Sequence, residues 1–219
     1  MSGECIVIAD DHPLFRAALK QILASDLPEV TFVEAGSMDG VISAIGRETH
    51  PDLILLDLKM PGVQGFSGLA WLRAQYPEIP VVIVSASEEP AIIRRAMALG
   101  ASGFIRKSAP AEVMQQALRA VLNGELAVPE DVPLDAGEDD ETGEIAQRLA
   151  ALTPQQMRVL MLLREGLLNK QIAYELGVSE ATIKAHVSAI LQKLKVESRT
   201  QAVIAASRID EALITTERS

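Results

Sequence analysis

The chain has little of what builds cross-linked, zinc-clustered or membrane-spanning proteins. Its 219 residues include a single cysteine, Cys5, which excludes an intramolecular disulfide. The three histidines are far apart in the sequence and lack the spacing of a zinc site. No apolar stretch approaches the roughly 20 residues that a membrane span needs, and the N-terminus has no basic-then-apolar leader. We therefore expect a cytoplasmic protein that does not contact a membrane.

Basic residues are also scarce overall, since the formal net charge is −10. Read over the whole chain, this charge argues against nucleic acid, but the charge is unevenly distributed. Residues 129–150 carry 8 acidic residues and one basic residue, whereas residues 151–208 carry 4 acidic and 8 basic residues. The C-terminal part is therefore basic and compatible with a nucleic-acid partner.

The first half of the chain alternates short apolar runs with helix-like segments. Such β–α alternation is typical of an α/β domain with a doubly wound, five-stranded parallel sheet, which we place at residues 1–126. Helical patterns lie between the runs, for example Leu14, Ala18, Leu19, Ile22 and Leu23 on one face. The predicted strands fall near residues 4–9, 30–34, 52–56, 80–84 and 103–105.

The composition changes after this domain. Residues 128–141 are acidic, contain proline and lack periodicity, which predicts an extended, mobile linker over residues 127–147. A smaller all-α domain follows at residues 148–214. Its start signals are Thr153-Pro154, an N-cap followed by proline, and Ser179, the expected cap of a later helix.

Polar residues stand where the apolar runs of the first domain end. Because the carboxyl ends of parallel strands meet at one edge of a sheet, three carboxylates, one hydroxyl and one amine are expected to converge there. Such a group suits a divalent cation and a phosphoryl group. The five residues are Asp10, Asp11, Asp57, Ser85 and Lys107.

Each residue type has a reason to be in this site. Mg²⁺ prefers oxygen ligands and keeps several waters, so two or three protein oxygens suffice. Asp11 and Asp57 can supply carboxylates directly, Asp10 directly or through water, and Lys59 a backbone carbonyl. Asp57 ends a central strand alone and is the expected nucleophile towards a phosphoryl group.

Two further residues would contact the phosphoryl oxygens. The ammonium of Lys107 would pair with them, and the hydroxyl of Ser85 would donate a hydrogen bond.

The segments Asp10-Asp11, 57–62, Ser85-Ala86 and Lys107 resemble the receiver domain of two-component response regulators. The resemblance covers residues 4–124 and implies a flavodoxin-like fold in which Asp57 accepts a phosphoryl group from a sensor histidine kinase. It also implies that Ser85 and Phe104 form a switch pair. Lys107 precedes Ser108 instead of the usual proline, so the resemblance does not determine the shape of that loop.

Residues 152–203 resemble the LuxR-type helix-turn-helix of the NarL/FixJ class of response regulators. The resemblance rests on Asn169-Lys170-Gln171-Ile172-Ala173 and on residues 176–184. It implies double-stranded DNA as a partner, and pairing of two DNA-binding domains through the last helix, near residues 199–210.

A helix that starts at Ser179 buries Ile183, Val187, Ile190, Leu191 and Leu194. Its opposite side would then enter a major groove, where residues near a helix N-terminus read base edges. We expect base readout from Lys184, Ala185 and Ser188. We expect phosphate contacts from Asn169, Lys170, Thr182 and Lys193.

These features predict a phosphorylation-controlled transcription factor with Mg²⁺ as cofactor that forms homodimers when phosphorylated and is not an enzyme. An aspartyl-phosphate hydrolase would need a second acid two residues after the nucleophile, where this chain has Lys59. A small-molecule-sensing LuxR-type regulator would need an apolar pocket, which 3% aromatic residues disfavour. A receiver whose output is protein interaction, or phosphate-independent DNA binding, remains open.

Overall fold

The computed structural model describes residues 4–46, 50–61, 63–133, 148–149 and 151–210. Within these residues, the chain forms an α/β domain, followed by a short segment against its edge, and a helical domain. No helix in this part of the chain combines the length and apolarity required to cross a bilayer.

Five parallel strands form the sheet of the first domain, which confirms the predicted fold class. They lie in the order β2-β1-β3-β6-β7. Four of them are buried over most or all of their length, because their apolar runs are covered by helices on both faces. The strands are β1 (Cys5–Ala9), β2 (Thr31–Ala35), β3 (Leu53–Leu56), β6 (Val81–Ser85) and β7 (Gly103–Arg106). A two-stranded hairpin, which the sequence analysis did not predict, pairs β4 (Lys59–Met60) with β5 (Val63–Gln64).

Four helices connect successive strands of the sheet, and a fifth follows β7. They are α1 (Pro13–Ala24), α2 (Met38–Ile45), α3 (Ser67–Gln75), α4 (Pro90–Ala98) and α5 (Ala111–Leu122). The α1 prediction needs a correction, since Leu14 is 87% exposed and only Leu19 and Leu23 of the expected face are buried. Leu14 lies in the first turn of the helix, which starts at Pro13.

The segment after α5 is attached to the sheet edge. Phe104 N–H donates to the carbonyl of Ala127 over 2.8 Å, so residue 127 extends the sheet beyond β7. Arg106 donates two hydrogen bonds to the carboxylate of Asp131, at 3.0 and 2.8 Å. Residues 127–133, predicted as part of a free linker, therefore pack against the first domain. Residues 134–147 lie outside the described residues.

Over residues 151–210, the second domain forms four helices that pack around a shared apolar core. They are α6 (Pro154–Arg164), α7 (Asn169–Glu175), α8 (Glu180–Leu194) and α9 (Arg199–Asp210). Thr153 caps α6 in a reciprocal capping box with Gln156, and Ser179 caps α8 by accepting from the Thr182 N–H. Both predicted start signals are confirmed.

The two domains contact each other through α2 and α3 on one side and α6 and α9 on the other. The Trp71 indole N–H donates a 3.0 Å hydrogen bond to the carbonyl of Leu152, in a buried position. Arg158 pairs with Asp39 and donates a 2.7 Å hydrogen bond to the hydroxyl of Ser43. A buried apolar cluster continues across this interface, so the contact has the character of a packed core.

Candidate functional site

Two buried carboxylates lie at the carboxyl ends of adjacent central strands. Asp10 follows β1 and Asp57 follows β3, and each is only 2% exposed. The Asp57 N–H donates to the carbonyl of Ala9 over 2.8 Å, and the Asp10 N–H donates to that of Ala35 over 3.0 Å. Sheet hydrogen bonding therefore fixes the backbone of both acids side by side.

Lys107 joins the two carboxylates. Its Nζ lies 2.6 Å from Asp10 Oδ2 and 2.8 Å from Asp57 Oδ2. The Lys107 N–H donates to the Ser85 carbonyl over 2.7 Å, which extends the pairing of β6 with β7 past the end of β7. The ammonium also lies 4.7 Å from the ring centroid of Phe15, in cation–π contact. The pairing of β6 with β7 therefore places the Lys107 ammonium next to the carboxylates of Asp10 and Asp57.

The pKa values of Asp57 and Lys107 are shifted by burial and by the contacts that these residues make in the site. Burial raises the pKa of Asp57 above its ordinary value, although the hydrogen bond and charge of Lys107 partly oppose this. Burial on its own would lower the pKa of Lys107, but the hydrogen bonds to Asp10 and Asp57 outweigh it and raise that pKa. Lys107 is therefore a firmly charged cation within reach of the expected nucleophile.

Asp11 and His12 complete the cluster. His12 Nδ1 lies 2.6 Å from Asp11 Oδ1 and 3.2 Å from Asp10 Oδ1. One ligand atom from each of Asp10, Asp11, His12 and Asp57 lies within 4.8 Å of the others. Three carboxylates at this separation fit the oxygen ligands that Mg²⁺ requires. The sequence analysis missed His12, although its position directly after Asp10-Asp11 was the available signal.

Ser85, at the end of β6, and Phe104, in β7, are both 2% exposed. The Ser85 hydroxyl accepts a 3.2 Å hydrogen bond from the Ser87 N–H. The Phe104 ring is buried in the apolar cluster that spans both domains. Their roles as a switch pair stay predictions, as does the metal contact of the Lys59 carbonyl. The Lys59 N–H donates to Asp57 Oδ1 over 3.2 Å.

One side of α8 is open to solvent, and we call it the recognition face. It consists of Thr182, Lys184, Ala185 and Ser188, all exposed. The core side of α8 is as predicted, with Ile183, Ile190 and Leu194 buried and Val187 and Leu191 half-buried. In α7, Lys170 is exposed and Asn169 is half-buried.

Lys193 differs from the other predicted DNA contacts. Its ammonium donates to the carbonyl of Ala151 and to Gln156 Oε1, each over 2.8 Å. It therefore ties the end of α8 to the start of α6, and its phosphate contact stays a prediction. The Ser188 hydroxyl likewise donates within the helix, to the carbonyl of Lys184 over 3.0 Å.

Comparison with known protein families assigns both halves of the chain. Residues 6–119 match the family described as response regulator receiver domain. Residues 150–206 match the family described as bacterial regulatory proteins, luxR family.

Two relatives match this chain over most of their own length. The glycerol metabolism activator of Pseudomonas putida is 43% identical over 211 residues, which cover 94% of this chain and 96% of the relative. The nitrate/nitrite response regulator protein NarL of Escherichia coli (strain K12) is 34% identical, with 91% of this chain and 93% of the relative covered.

Solved structures agree on the fold. The RcsB response regulator of Salmonella typhimurium has a TM-score of 0.55 at 23% identity, with 95% of this chain and 100% of that chain covered. A structure described as two RcsB dimers bound to two parallel DNAs has a TM-score of 0.56 at 23% identity, covering 96% of this chain and 99% of that chain. The receiver match, the LuxR-type match and these relatives together place the chain in the NarL/FixJ class of DNA-binding two-component response regulators, which are transcription regulators and not enzymes.

Proposed function

We propose that phosphorylation of Asp57 controls promoter binding by this protein. The observation that carries the proposal is the buried group of Asp57, Asp10 and Lys107, in which a carboxylate lies 2.8 Å from an ammonium at the end of a central strand. A phosphoryl group on Asp57 would take over the ion pair with Lys107, because its oxygens carry more charge than the carboxylate. The donor would be a sensor histidine kinase, and the protein would act in the cytoplasm.

Mg²⁺ is the proposed cofactor of this step. Asp10, Asp11 and Asp57, with the backbone carbonyl of Lys59, would hold the cation. When bound, the cation offsets the repulsion between the carboxylates and an incoming phosphoryl group. The chain itself orients the nucleophile through the hydrogen bond from the Asp57 N–H to the carbonyl of Ala9 and holds Lys107 over Phe15.

The output would be binding of double-stranded DNA by a homodimer. On the recognition face, Lys184, Ala185 and Ser188 would read base edges. Phosphate contacts would come from Thr182 on the same face and from Asn169, Lys170 and Lys193. Support for a dimer comes from the solved RcsB assembly, described as dimers on DNA, and extends to this chain only as a proposal.

The interface between the domains would connect phosphorylation of the receiver to DNA binding. In this arrangement α9, the expected pairing helix, packs against α3 of the receiver, whereas the recognition face stays exposed. Phosphorylation would therefore act by freeing α9 for pairing, as a shift between two populated states. The receiver would span residues 1–126, the linker 127–147 and the DNA-binding domain 148–214.

The test compares DNA binding by the wild type and Asp57→Ala, each with and without a small-molecule phosphodonor. We expect the donor to tighten operator binding and shift the wild type to a dimer, and to leave Asp57→Ala unchanged. Glu112→Gln, an exposed change in α5, is the matched control and should behave like the wild type. Equal binding with and without the donor would favour the second candidate, phosphate-independent DNA binding.

A further inference from the structure

The imidazole of His12 lies inside a group of oxygen ligands. Its Nδ1 is 2.6 Å from one carboxylate oxygen of Asp11 and 3.2 Å from one of Asp10. His12 precedes α1, and its side chain makes no hydrogen bond that caps this helix. Its orientation towards the two acids therefore serves no capping function.

The carboxylates around this imidazole outnumber the ammonium that faces them. Asp10 is 2% exposed, and its Oδ2 lies 2.6 Å from Lys107 Nζ, which Asp57 shares. Asp11 Oδ1 lies 2.6 Å from His12 Nδ1. One ammonium thus faces two buried carboxylates and a third nearby, which leaves negative charge for a cation to neutralise.

The ligand set is mixed, and this bears on which cation it favours. Mg²⁺ takes oxygen ligands and keeps its waters, so it gains little from an imidazole. First-row transition ions towards the end of the series, Zn²⁺ among them, bind imidazole well and also accept carboxylates. Because His12 places a nitrogen within 4.8 Å of three carboxylate oxygens, the site can supply both ligand types to one ion.

We propose that His12 is a nitrogen ligand that raises the affinity of this pocket for a divalent transition ion, such as Zn²⁺, without raising its affinity for Mg²⁺. The proposal rests on the proposed function, since it uses the same pocket. It adds a nitrogen ligand, which strengthens the preference for late first-row ions that carboxylates already have. His12 would bind the ion together with Asp10, Asp11 and Asp57.

Calorimetric titration of the full-length protein with Zn²⁺ and with Mg²⁺ tests the proposal. His12→Ala removes the imidazole and keeps the backbone N–H that donates to Asp10 Oδ1 over 2.8 Å. We expect this variant to lose at least about tenfold in Zn²⁺ affinity and to keep its Mg²⁺ affinity. His50→Ala, a histidine outside the cluster, is the matched control and should keep both affinities.

Nitrogen NMR of the histidine rings gives a readout that is independent of affinity. The chain has three histidines, and His12→Ala identifies the signals of His12 by their loss. Zn²⁺ should shift one ring nitrogen of His12 at a stoichiometric amount of metal, and Mg²⁺ should leave both unshifted.

The proposal is overturned if His12→Ala keeps its Zn²⁺ affinity or loses both affinities equally. If the wild type binds Mg²⁺ and accepts phosphate while His12→Ala keeps the Zn²⁺ affinity of the wild type, the proposed function stays intact and only the role of His12 is contradicted. Wild type that binds neither metal would contradict both.

Discussion

The indole N–H of Trp71 in the receiver donates a 3.0 Å hydrogen bond to the carbonyl of Leu152 in the DNA-binding domain. Both residues are fully buried, so the bond is shielded from water. Breaking it would leave a buried carbonyl without a donor, which costs about 1–3 kcal/mol. The bond therefore favours the arrangement in which the two domains are in contact.

Trp71→Phe should loosen this arrangement. The ring still fills much of the site, but the donor to Leu152 is lost. We expect a larger radius of gyration by small-angle X-ray scattering for the unphosphorylated protein. Tyr76→Phe is the control, because it keeps the ring that packs edge-to-face on Trp71 at 5.9 Å. An unchanged radius, with only a drop in receiver stability, would contradict the prediction.

Arg158 provides a second test of the same interface by charge exchange. Its guanidinium pairs with Asp39 and donates to Ser43 over 2.7 Å. Arg158→Asp should repel Asp39 and raise the DNA affinity of the unphosphorylated protein, by roughly two- to fivefold for a partly exposed pair.

The double variant Arg158→Asp with Asp39→Arg restores opposite charges at the same two positions. We expect it to return the DNA affinity towards that of the wild type, measured in the same binding assay. If the double variant binds as the single variant does, the ion pair does not hold the domains together.

Asp57, the proposed phosphoacceptor, should destabilise the fold at neutral pH. Burial holds the pKa of Asp57 above its ordinary value of 3.8. The folded protein therefore keeps this proton at a pH where the unfolded chain has lost it, and stability falls as the pH rises through the raised pKa. Asp57→Asn should raise the free energy of unfolding at neutral pH by roughly 1 kcal/mol, because Lys107 keeps its partner Asp10.

Urea unfolding as a function of pH measures this effect. The advantage of Asp57→Asn should shrink as the pH falls through the raised pKa of Asp57. Lys107 does not disturb the comparison, since the stability linked to its raised pKa is lost only above its ordinary value of 10.5. Glu112→Gln is the control for removing a carboxylate. An advantage that grows towards acidic pH would contradict the assignment.

Substitutions of two lysines in α8 should have different effects, one on stability and the other on DNA binding. Lys193 donates to Ala151 and Gln156, so Lys193→Gln should lower the free energy of unfolding by about 1 kcal/mol. Lys184 makes an exposed pair with Glu180 at 3.0 Å, so Lys184→Gln should leave stability within about 0.5 kcal/mol and weaken DNA binding. Thermal unfolding and a DNA titration measure the two effects. Equal destabilisation by both variants would contradict this separation.

Much of the fold was predictable because its signals are local. The apolar runs of β1 and β3 end at Asp10 and Asp57, and parallel strand pairing then brings the acids together. Lys107 could be placed by the same rule, since it closely follows β7. The capping residues Thr153 and Ser179 mark helix starts within a few residues of sequence.

The remaining features depend on pairs distant in the sequence. Arg106 and Asp131 lie 25 residues apart, and Trp71 and Leu152 lie 81 apart, so neither periodicity nor composition indicates their contacts. The β4–β5 hairpin has two residues per strand, too few for an alternating pattern. His12 was missed because its spacing was compared with zinc motifs and not with its neighbouring acids.

The end of α8 offers a test of local strain. Lys195 has φ of 55° and ψ of 47°, the left-handed conformation that ends many helices. A residue with a Cβ in this conformation costs about 1–2 kcal/mol. Glycine avoids that cost but loses more chain entropy on folding, about 0.5–1 kcal/mol. Lys195→Gly should therefore stabilise the protein by roughly 0.5 kcal/mol, the difference between the two effects.

Differential scanning calorimetry of Lys195→Gly and Lys195→Ala separates strain from charge. Alanine removes the ammonium but keeps the Cβ, so its melting temperature should stay near that of the wild type. Glycine should raise the melting temperature by about 1–2 °C in a chain of this size. If alanine raises it as much as glycine does, the ammonium of Lys195, and not its backbone conformation, is what costs stability at the end of α8.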